Sequence, residues 1–310
     1  MSAARFSTIR QTVAAVALCA LAFVACSAPR HPSSQTTNLR SVTDEAGRTV
    51  KVPAKVERVV SLAPNLTEIV YAVGARDQLV GNTTYCDYPE AARNVAKVGD
   101  TLQPSIERIL SLRPQLVLVS TASQLEAFTR QLDEHGIVVY VTNPRDLEGV
   151  FRSLENLGQL LNHEEQAKQL VQQLRTSAAG VTNTVQAKTP VRVFYQLSAE
   201  PLYTAGRDSY VTDLIQRAGG VSVTAEVPEA WPRFSQESAV AARPDAIVLP
   251  TGGSMGNANS QVAAGLKNSP AVLNGKVYKI HGDLLSRPGP RLVQGLTELA
   301  RALHPEAFEK

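Results

Sequence analysis

One stretch of the chain has the spacing of a catalytic serine motif. Gly252 to Gly256 reads GGSMG and matches G-x-S-x-G, in which a serine on a tight turn after a strand acts as a nucleophile. Asp283 and His304 follow in the chain order that would activate Ser254. The motif also needs a helix directly after the serine, whereas SMGNANSQ is typical of a loop. We therefore expect a Gly-rich loop and keep a secreted serine hydrolase as an alternative from a different class.

Metal, nucleotide and nucleic-acid chemistry find little support in the residues. The five histidines include no pair with the spacing of a metal-ligand motif. The chain contains no GxxxxGK[ST] phosphate-binding loop. Its net charge of +3 comes without a concentrated patch of Lys and Arg, which disfavours binding to nucleic acid. We expect no metal site, no cofactor and no nucleic-acid partner.

Aromatic and charged side chains concentrate in segments predicted as loops. An aromatic ring in a loop is either a packed plug or a platform on which a flat ligand stacks, and Arg287 is either a solvated charge or a ligand contact. In α/β proteins such loops follow the carboxyl ends of the strands, where ligands bind. The predicted ligand-binding residues, including the only tryptophan, are Tyr85, Tyr203, Trp231, Asp283 and Arg287.

Short apolar strands alternate with helices in two parts of the chain. This alternation predicts mostly parallel sheets flanked by helices. Between the two parts, residues 146 to about 187 read as helices without a strand, and the second of them would be roughly 34 Å long. We predict an N-terminal α/β lobe at 41–147, a helical linker at 148–188 and a C-terminal α/β lobe at 189–310.

Two segments repeat the same layout in the two predicted lobes. Residues 105–120 read SIERILSLRPQLVLVS, and residues 235–250 read SQESAVAARPDAIVLP. Glu107 and Glu237 each precede the proline of the repeat by seven residues. A second pair, LTEIVYAVGA and VTDLIQRAGG, occurs in the same order along the chain. The repeats favour a pseudo-twofold arrangement. Taken singly, each glutamate is only an acidic residue favoured at a helix N-terminus.

The N-terminus has the features of a lipoprotein signal peptide. Arg5 and Arg10 precede an uncharged apolar stretch that ends in FVAC, so we predict a signal peptide at 1–25 and lipidation of Cys26. Residues 26–40 are rich in Ser, Thr and Pro and predict a flexible tether. Cys86 is the only cysteine after this segment and is predicted to be a buried thiol.

Several motifs together resemble the iron-siderophore/vitamin B12 class of periplasmic substrate-binding proteins of ABC importers. They are VTDEAGRTVKVP, RVVSLAPNLTEIVYAVGA, TYCDYP, SIERILSLRPQLVLVS and RPGPRLVQGL, spanning about residues 41 to 305. The likeness is greatest to the cobalamin-binding members. It implies an α/β fold with two Rossmann-like lobes joined by a single long helix, and a ligand held in the cleft between them.

The resemblance also implies a function without catalysis. It implies an extracytoplasmic protein, anchored by its lipid, that binds cobalamin or a related corrinoid and delivers it to an ABC permease and its ATPase. A ferric siderophore or haem is the alternative ligand for the same fold. The family positions imply docking to the permease through Glu107 and Glu237. Thr101 and Ser120 stand where the cobalamin-binding members have tryptophans, so the pocket should be less aromatic.

Overall fold

The computed structural model describes residues 38–120, 125–253 and 261–309. The predicted signal peptide, Cys26 and Ser254 lie outside these ranges. Strand β1 begins at Leu39, within the segment predicted as tether. Among the described helices, none is both long enough and apolar enough to cross a membrane.

The described chain opens with a β-hairpin. Strands β1 (Leu39–Thr43) and β2 (Thr49–Pro53) pair antiparallel. Asp44 closes the turn, because its carboxylate accepts the backbone N–H of Arg48 and pairs with that guanidinium at 2.7 Å. Gly47 takes a positive φ of 80°, which costs a glycine little.

The predicted parallel sheets are confirmed, and in the described residues each half of the chain builds one with four strands. The first sheet has the order β4-β3-β5-β6, and the second has the order β10-β7-β11-β12. The first sheet consists of β3 (Val59–Ser61), β4 (Leu79–Asn82), β5 (Leu116–Ser120) and β6 (Val138–Thr142). The second consists of β7 (Val191–Tyr195), β10 (Gly220–Ser222), β11 (Ala246–Thr251) and β12 (Val277–His281), and a small hairpin adds β8 (Ser198–Ala199) and β9 (Leu202–Tyr203).

Helices flank both sheets. Those of the first half are α1 (Pro64–Ala72), α2 (Ile106–Ser111) and α3 (Leu125–Glu134). Those of the second half are α6 (Tyr210–Arg217), α7 (Gln236–Ala241), α8 (Pro270–Leu273), α9 (Gly282–Ser286) and α10 (Leu292–Leu303). Short 3-10 turns lie at Arg76–Gln78, Glu90–Asn94, Ala264–Asn268 and Pro305–Ala307.

Two helices, with no strand between them, connect the sheets. They are α4 (Leu147–Leu160) and α5 (Glu164–Val185), and the 22 residues of α5 span about 33 Å. The fold is therefore α/β, with two Rossmann-like lobes joined by a long helix. The lobe boundaries at 147 and 188 stay a prediction.

Helix α1 begins with a proline and has no capping side chain. It starts at Pro64, and Ala63 is the N-cap residue. Proline suits the first helical position, since its missing N–H would have no partner there. The Asn65 side chain donates to the Pro288 carbonyl at 3.3 Å, between the lobes.

The repeated segments have the same backbone geometry in both lobes. Ser105 and Ser235 each cap the following helix by accepting a backbone N–H. After each helix an arginine takes a left-handed conformation, at φ 46° for Arg113 and 43° for Arg243. A left-handed residue commonly ends a helix, and the next residue, a proline, cannot continue it. With identical strand order in the two sheets, this supports the predicted pseudo-twofold arrangement.

One hydrophobic core cluster runs through both lobes and the linker. It includes Leu66 of α1, Leu157 of α4, Leu214 of α6 and Leu299 of α10, all at most 1% exposed. Each lobe also has a smaller hydrophobic cluster of its own. The cluster of the first lobe includes Ile109, and that of the second includes Phe194. Because packed cores resist deformation, the shared cluster should restrict relative motion of the lobes.

Candidate functional site

A cavity of about 580 Å³ lies between the lobes. This volume is within the usual range of small-molecule pockets, about 300–1,000 Å³. Its walls come from segments at and after the carboxyl ends of strands in both sheets, as expected for parallel α/β sheets. The described lining residues are Ala63, Pro64, Asn65, Tyr85, Thr101, Ser120, Asn143, Pro144, Leu197, Asp208, Ser209, Tyr210, Ala230, Trp231, Ser286, Arg287 and Pro288.

Three of the five predicted ligand-binding residues line this cavity. They are Tyr85 from the first lobe, and Trp231 and Arg287 from the second. Tyr203 is absent from the wall and lies in β9, where its backbone forms an isolated antiparallel β-bridge with Arg233. Asp283 is also absent from the wall and is buried in α9 against Arg287. The structure therefore brings together only part of the predicted set.

The aromatic rings of the wall are accessible rather than packed away. Tyr85 is 49% exposed and Trp231 is 37% exposed. Trp231 is oriented by an edge contact with Tyr210, with ring centroids 5.6 Å apart and planes at 71°. Of the two interpretations left open by the sequence, this exposure favours a stacking platform over a plug.

Tyr210 also lines the wall, although it is not among the five predicted ligand-binding residues. It begins α6 and is buried, and burial raises the pKa of its hydroxyl well above the ordinary value, so the group is neutral. Its signal in the sequence was weak, since a tyrosine at a helix start is equally typical of core packing. Thr101 and Ser120 also line the cavity, in keeping with a wall of few aromatic rings.

Arg287 is only 3% exposed, so the interpretation of a solvated surface charge is wrong. Its Nη1 donates to Glu68 Oε1 at 3.0 Å and to Asp87 Oδ1 at 2.9 Å. Its Nη2 lies 3.1 Å from Asp283 Oδ2. Burial acts to lower the pKa of Arg287, but the hydrogen bonds that it donates to Glu68 and Asp87 outweigh burial and raise the pKa. The guanidinium is therefore charged, and its partners compensate the cost of burying it.

Arg291 binds the same glutamate. Its Nε donates to Glu68 Oε2 at 2.9 Å and its Nη2 to Glu68 Oε1 at 2.6 Å, a bidentate pair. The guanidinium also lies over the Tyr88 ring, 3.9 Å from its centroid. Glu68, Asp87, Asp283, Arg287 and Arg291 thus form one group, called here the cross-lobe ion cluster.

Glu68 is the central residue of this cluster, and sequence reasoning gave it no role. It stands on α1 of the first lobe, is 3% exposed, and contacts two arginines of the second lobe. The sequence signal was present, because LTEIVYAVG places one carboxylate within an apolar helix. A buried carboxylate needs a charged partner, but the sequence does not show that the partners lie more than 200 residues away.

Glu107 and Glu237 lie on the surface. Each is exposed and occupies the first turn of a six-residue helix, α2 or α7. Their matching positions follow from the shared backbone of the repeated segments. The exposure leaves both side chains available for contact with another protein.

Two of the three residues of the alternative hydrolase, His304 and Asp283, make other contacts. His304 is buried, and its Nε2 lies 3.0 Å from the Gly219 carbonyl. Asp283 pairs with Arg287, while Ser254 lies outside the described residues. Within the described ranges, no group of three or more His, Cys, Asp or Glu is arranged to hold a metal ion. Cys86 is a buried free thiol, as predicted, 3.2 Å from Thr83 Oγ1.

Comparison with known proteins gives the family. A family model described as periplasmic binding protein matches residues 59–284. An uncharacterized ABC transporter substrate-binding lipoprotein of Bacillus subtilis is 31% identical over 310 residues, covering 96% of this chain and 98% of the relative.

Solved structures of similar proteins share the fold. The periplasmic vitamin B12-binding protein of Vibrio cholerae is 27% identical, with a TM-score of 0.72, covering 83% of this chain and 100% of that chain. A periplasmic haem-binding protein of Roseiflexus is 25% identical, with a TM-score of 0.72, covering 81% of this chain and 99% of that one. With a family model matched over most of its length, the chain belongs to the periplasmic binding protein family.

Proposed function

We propose that the chain is the extracytoplasmic substrate-binding lipoprotein of an ABC importer and that it binds cobalamin or a related corrinoid between its lobes. The observation that carries the proposal is the interlobe cavity, which presents an accessible ring from each lobe, Tyr85 and Trp231. Two rings on opposite sides of a cleft can contact a flat macrocycle by stacking. A B12-binding structural relative supports this ligand class.

The remaining wall suits the rim of a corrin, which carries neutral carboxamide groups. Asn65, Ser120 and Asn143 place polar groups on the wall among apolar residues such as Leu197. A few polar groups on a mostly apolar wall orient a ligand without covalent chemistry. We therefore propose that the protein is not an enzyme and captures its ligand by shape, stacking and hydrogen bonds.

Haem is the second candidate for the same cavity. The observation in its favour is Tyr85, whose phenol is on the wall and 49% exposed, because a tyrosine oxygen can be an axial ligand of haem iron. A haem-binding structural relative points the same way. Tyr203, the other tyrosine among the predicted ligand-binding residues, is not on the wall.

Delivery needs a surface that the permease contacts on both lobes. We propose that Glu107 and Glu237 form this surface, one from each lobe, by pairing with basic residues of the permease. Two such charge pairs at an interface steer docking and fix its register. The lipid on Cys26 would hold the protein at the membrane beside the permease and its ATPase, and the B. subtilis relative is itself named a lipoprotein.

Isothermal titration of the full-length chain in detergent tests the ligand. We expect cyanocobalamin and cobinamide to bind with Kd at or below about 1 µM, equivalent to about −8 kcal/mol. Haemin and a ferric siderophore are the comparison ligands. Saturable binding of haemin or the siderophore with no binding of either corrinoid would refute the corrinoid assignment.

A further inference from the structure

A single cation lies on the described part of the cavity wall. Of the described lining residues, Arg287 alone is a lysine or arginine. A ligand with carboxylates or an anionic metal complex would need this charge, because its burial removes favourable contacts with water. The state of Arg287 therefore decides whether the cavity can accept an anion.

Carboxylates already surround that cation. Within the cross-lobe ion cluster, the two guanidiniums of Arg287 and Arg291 face the three carboxylates of Glu68, Asp87 and Asp283. The formal sum of this cluster is one negative charge. Both guanidinium Nη atoms of Arg287 are directed at oxygens of the protein, since Nη2 also lies 3.4 Å from the Tyr85 carbonyl.

The other described residues of the wall add no positive charge. Asp208 is the other charged lining residue and pairs with Arg145 at 3.5 Å, where both side chains are largely exposed. The segments 121–124 and 254–260, which lie outside the described residues, contain no Lys, Arg, Asp or Glu. Wherever these segments lie, they cannot supply a cation to a ligand.

We propose that Glu68 and Asp87 are specificity-determining residues, which occupy Arg287 and so make the cavity select an uncharged ligand over an anionic one. This inference rests on the proposed function and narrows its ligand class. The mechanism is a form of discrimination by repulsion: an anion at Arg287 meets carboxylates that already hold the guanidinium. An amide at the same place meets no such penalty.

Of Glu68 and Asp87, Asp87 is the better residue to substitute in a test. Its side chain is 40% exposed at the edge of the cluster, whereas that of Glu68 is 2% exposed. Asp87→Asn keeps the shape and removes one charge, and Arg287 retains Glu68 and Asp283. Asp77→Asn is the matched control, because Asp77 is in the same lobe, is 90% exposed in its side chain and does not line the cavity.

The probes are cyanocobalamin and its monocarboxylic acid, in which one peripheral carboxamide is replaced by a carboxylate. Titration of the full-length chain measures the ratio of the two Kd values. We expect the native protein to bind the amide about tenfold more tightly than the acid, equivalent to about 1.4 kcal/mol. Asp87→Asn should bring this ratio close to one, while Asp87→Glu and Asp77→Asn should leave it near the native value.

Two results would overturn the inference, and they differ in what they say of the proposed function. If both corrinoids bind and Asp87→Asn leaves their ratio unchanged, the specificity role is wrong while corrinoid binding stands. If neither corrinoid binds and haemin, with its two propionates, binds tightly, both the specificity role and the corrinoid assignment are wrong.

Discussion

Glu68 and Asp213 occupy matching positions on helices α1 and α6, yet they make different contacts. Glu68 is buried and bonded to two arginines of the opposite lobe. Asp213 is partly exposed; it accepts from Arg217 of its own helix at 2.8 Å and from the backbone N–H of Leu147 at 2.9 Å. It thus holds the N-terminus of α4, where a negative charge is favourable.

The difference shows that duplicated scaffolds need not hold the lobes together in the same way. On the side of Glu68, the lobes are joined by ion pairs in which each buried charge is stabilised by a partner of opposite sign. On the side of Asp213, the contact is a hydrogen bond to the linker, with an exposed pair between Arg145 and Asp208 nearby. The interlobe geometry should therefore depend mainly on the first acid and little on the second.

Replacing Glu68 should produce the largest effect, a loss in the free energy of unfolding. Glu68→Ala leaves the buried guanidinium of Arg287 and the partly buried one of Arg291 short of a partner, and the loss of one member of a buried pair costs about 3–5 kcal/mol. Asp213→Ala should cost about 1 kcal/mol, since it removes partly exposed hydrogen bonds. Urea unfolding of both variants gives the two free energies. Equal losses would contradict the asymmetry.

The stacking rings allow a second comparison between the lobes. Trp231→Ala should weaken corrinoid binding by about 2 kcal/mol, or about 30-fold, because Tyr210 orients its large ring. Tyr85→Ala should weaken it less, by about 1 kcal/mol, or about fivefold. Titration calorimetry measures both. Leu273→Ala is the control, since Leu273 is 74% exposed and absent from the cavity wall. A larger loss of affinity for Tyr85→Ala than for Trp231→Ala would mean that Tyr85 is the main stacking ring.

The surface glutamates test whether the lobes are equivalent where the backbone repeats. Glu107→Ala and Glu237→Ala should each reduce cobalamin uptake by a similar factor, about fivefold for about 1 kcal/mol, and the double variant should lose most transport. Ligand affinity should stay unchanged, because neither residue lines the cavity. Glu134→Ala, an exposed glutamate that ends α3, is the control for uptake by whole cells. Normal transport by the double variant would exclude the docking role.

The sequence predicted the scaffold better than the site, for physical reasons. Strand-helix alternation and the Arg-Pro breaks are local signals, so the two sheets, the linker helices and the paired α2 and α7 segments could be read from them. Local residue types also marked Tyr85 and Trp231. The sequence could not show that Arg287 is buried against Glu68, because that depends on contacts 219 residues apart. For the same reason the sequence predicted Tyr203 as a ligand contact, although it does not line the cavity.

The smallest effect we expect is a pH dependence of folding stability that comes from Asp87 of the cross-lobe ion cluster. Burial acts to raise the pKa of Asp87, but its hydrogen bond and charge interaction with Arg287 hold the pKa below the ordinary 3.8. Ionised Asp87 therefore stabilises the fold above pH 3.8, and this contribution is lost as the pH falls through the lower pKa of the folded state. On acidification, Asp87→Asn should lose less stability than the native chain. Urea midpoints measured from about pH 6 to about pH 2.5 give the stability curves of both proteins. Parallel curves for Asp87→Asn and the native chain would mean that the Asp87–Arg287 contact contributes nothing to holding the lobes together.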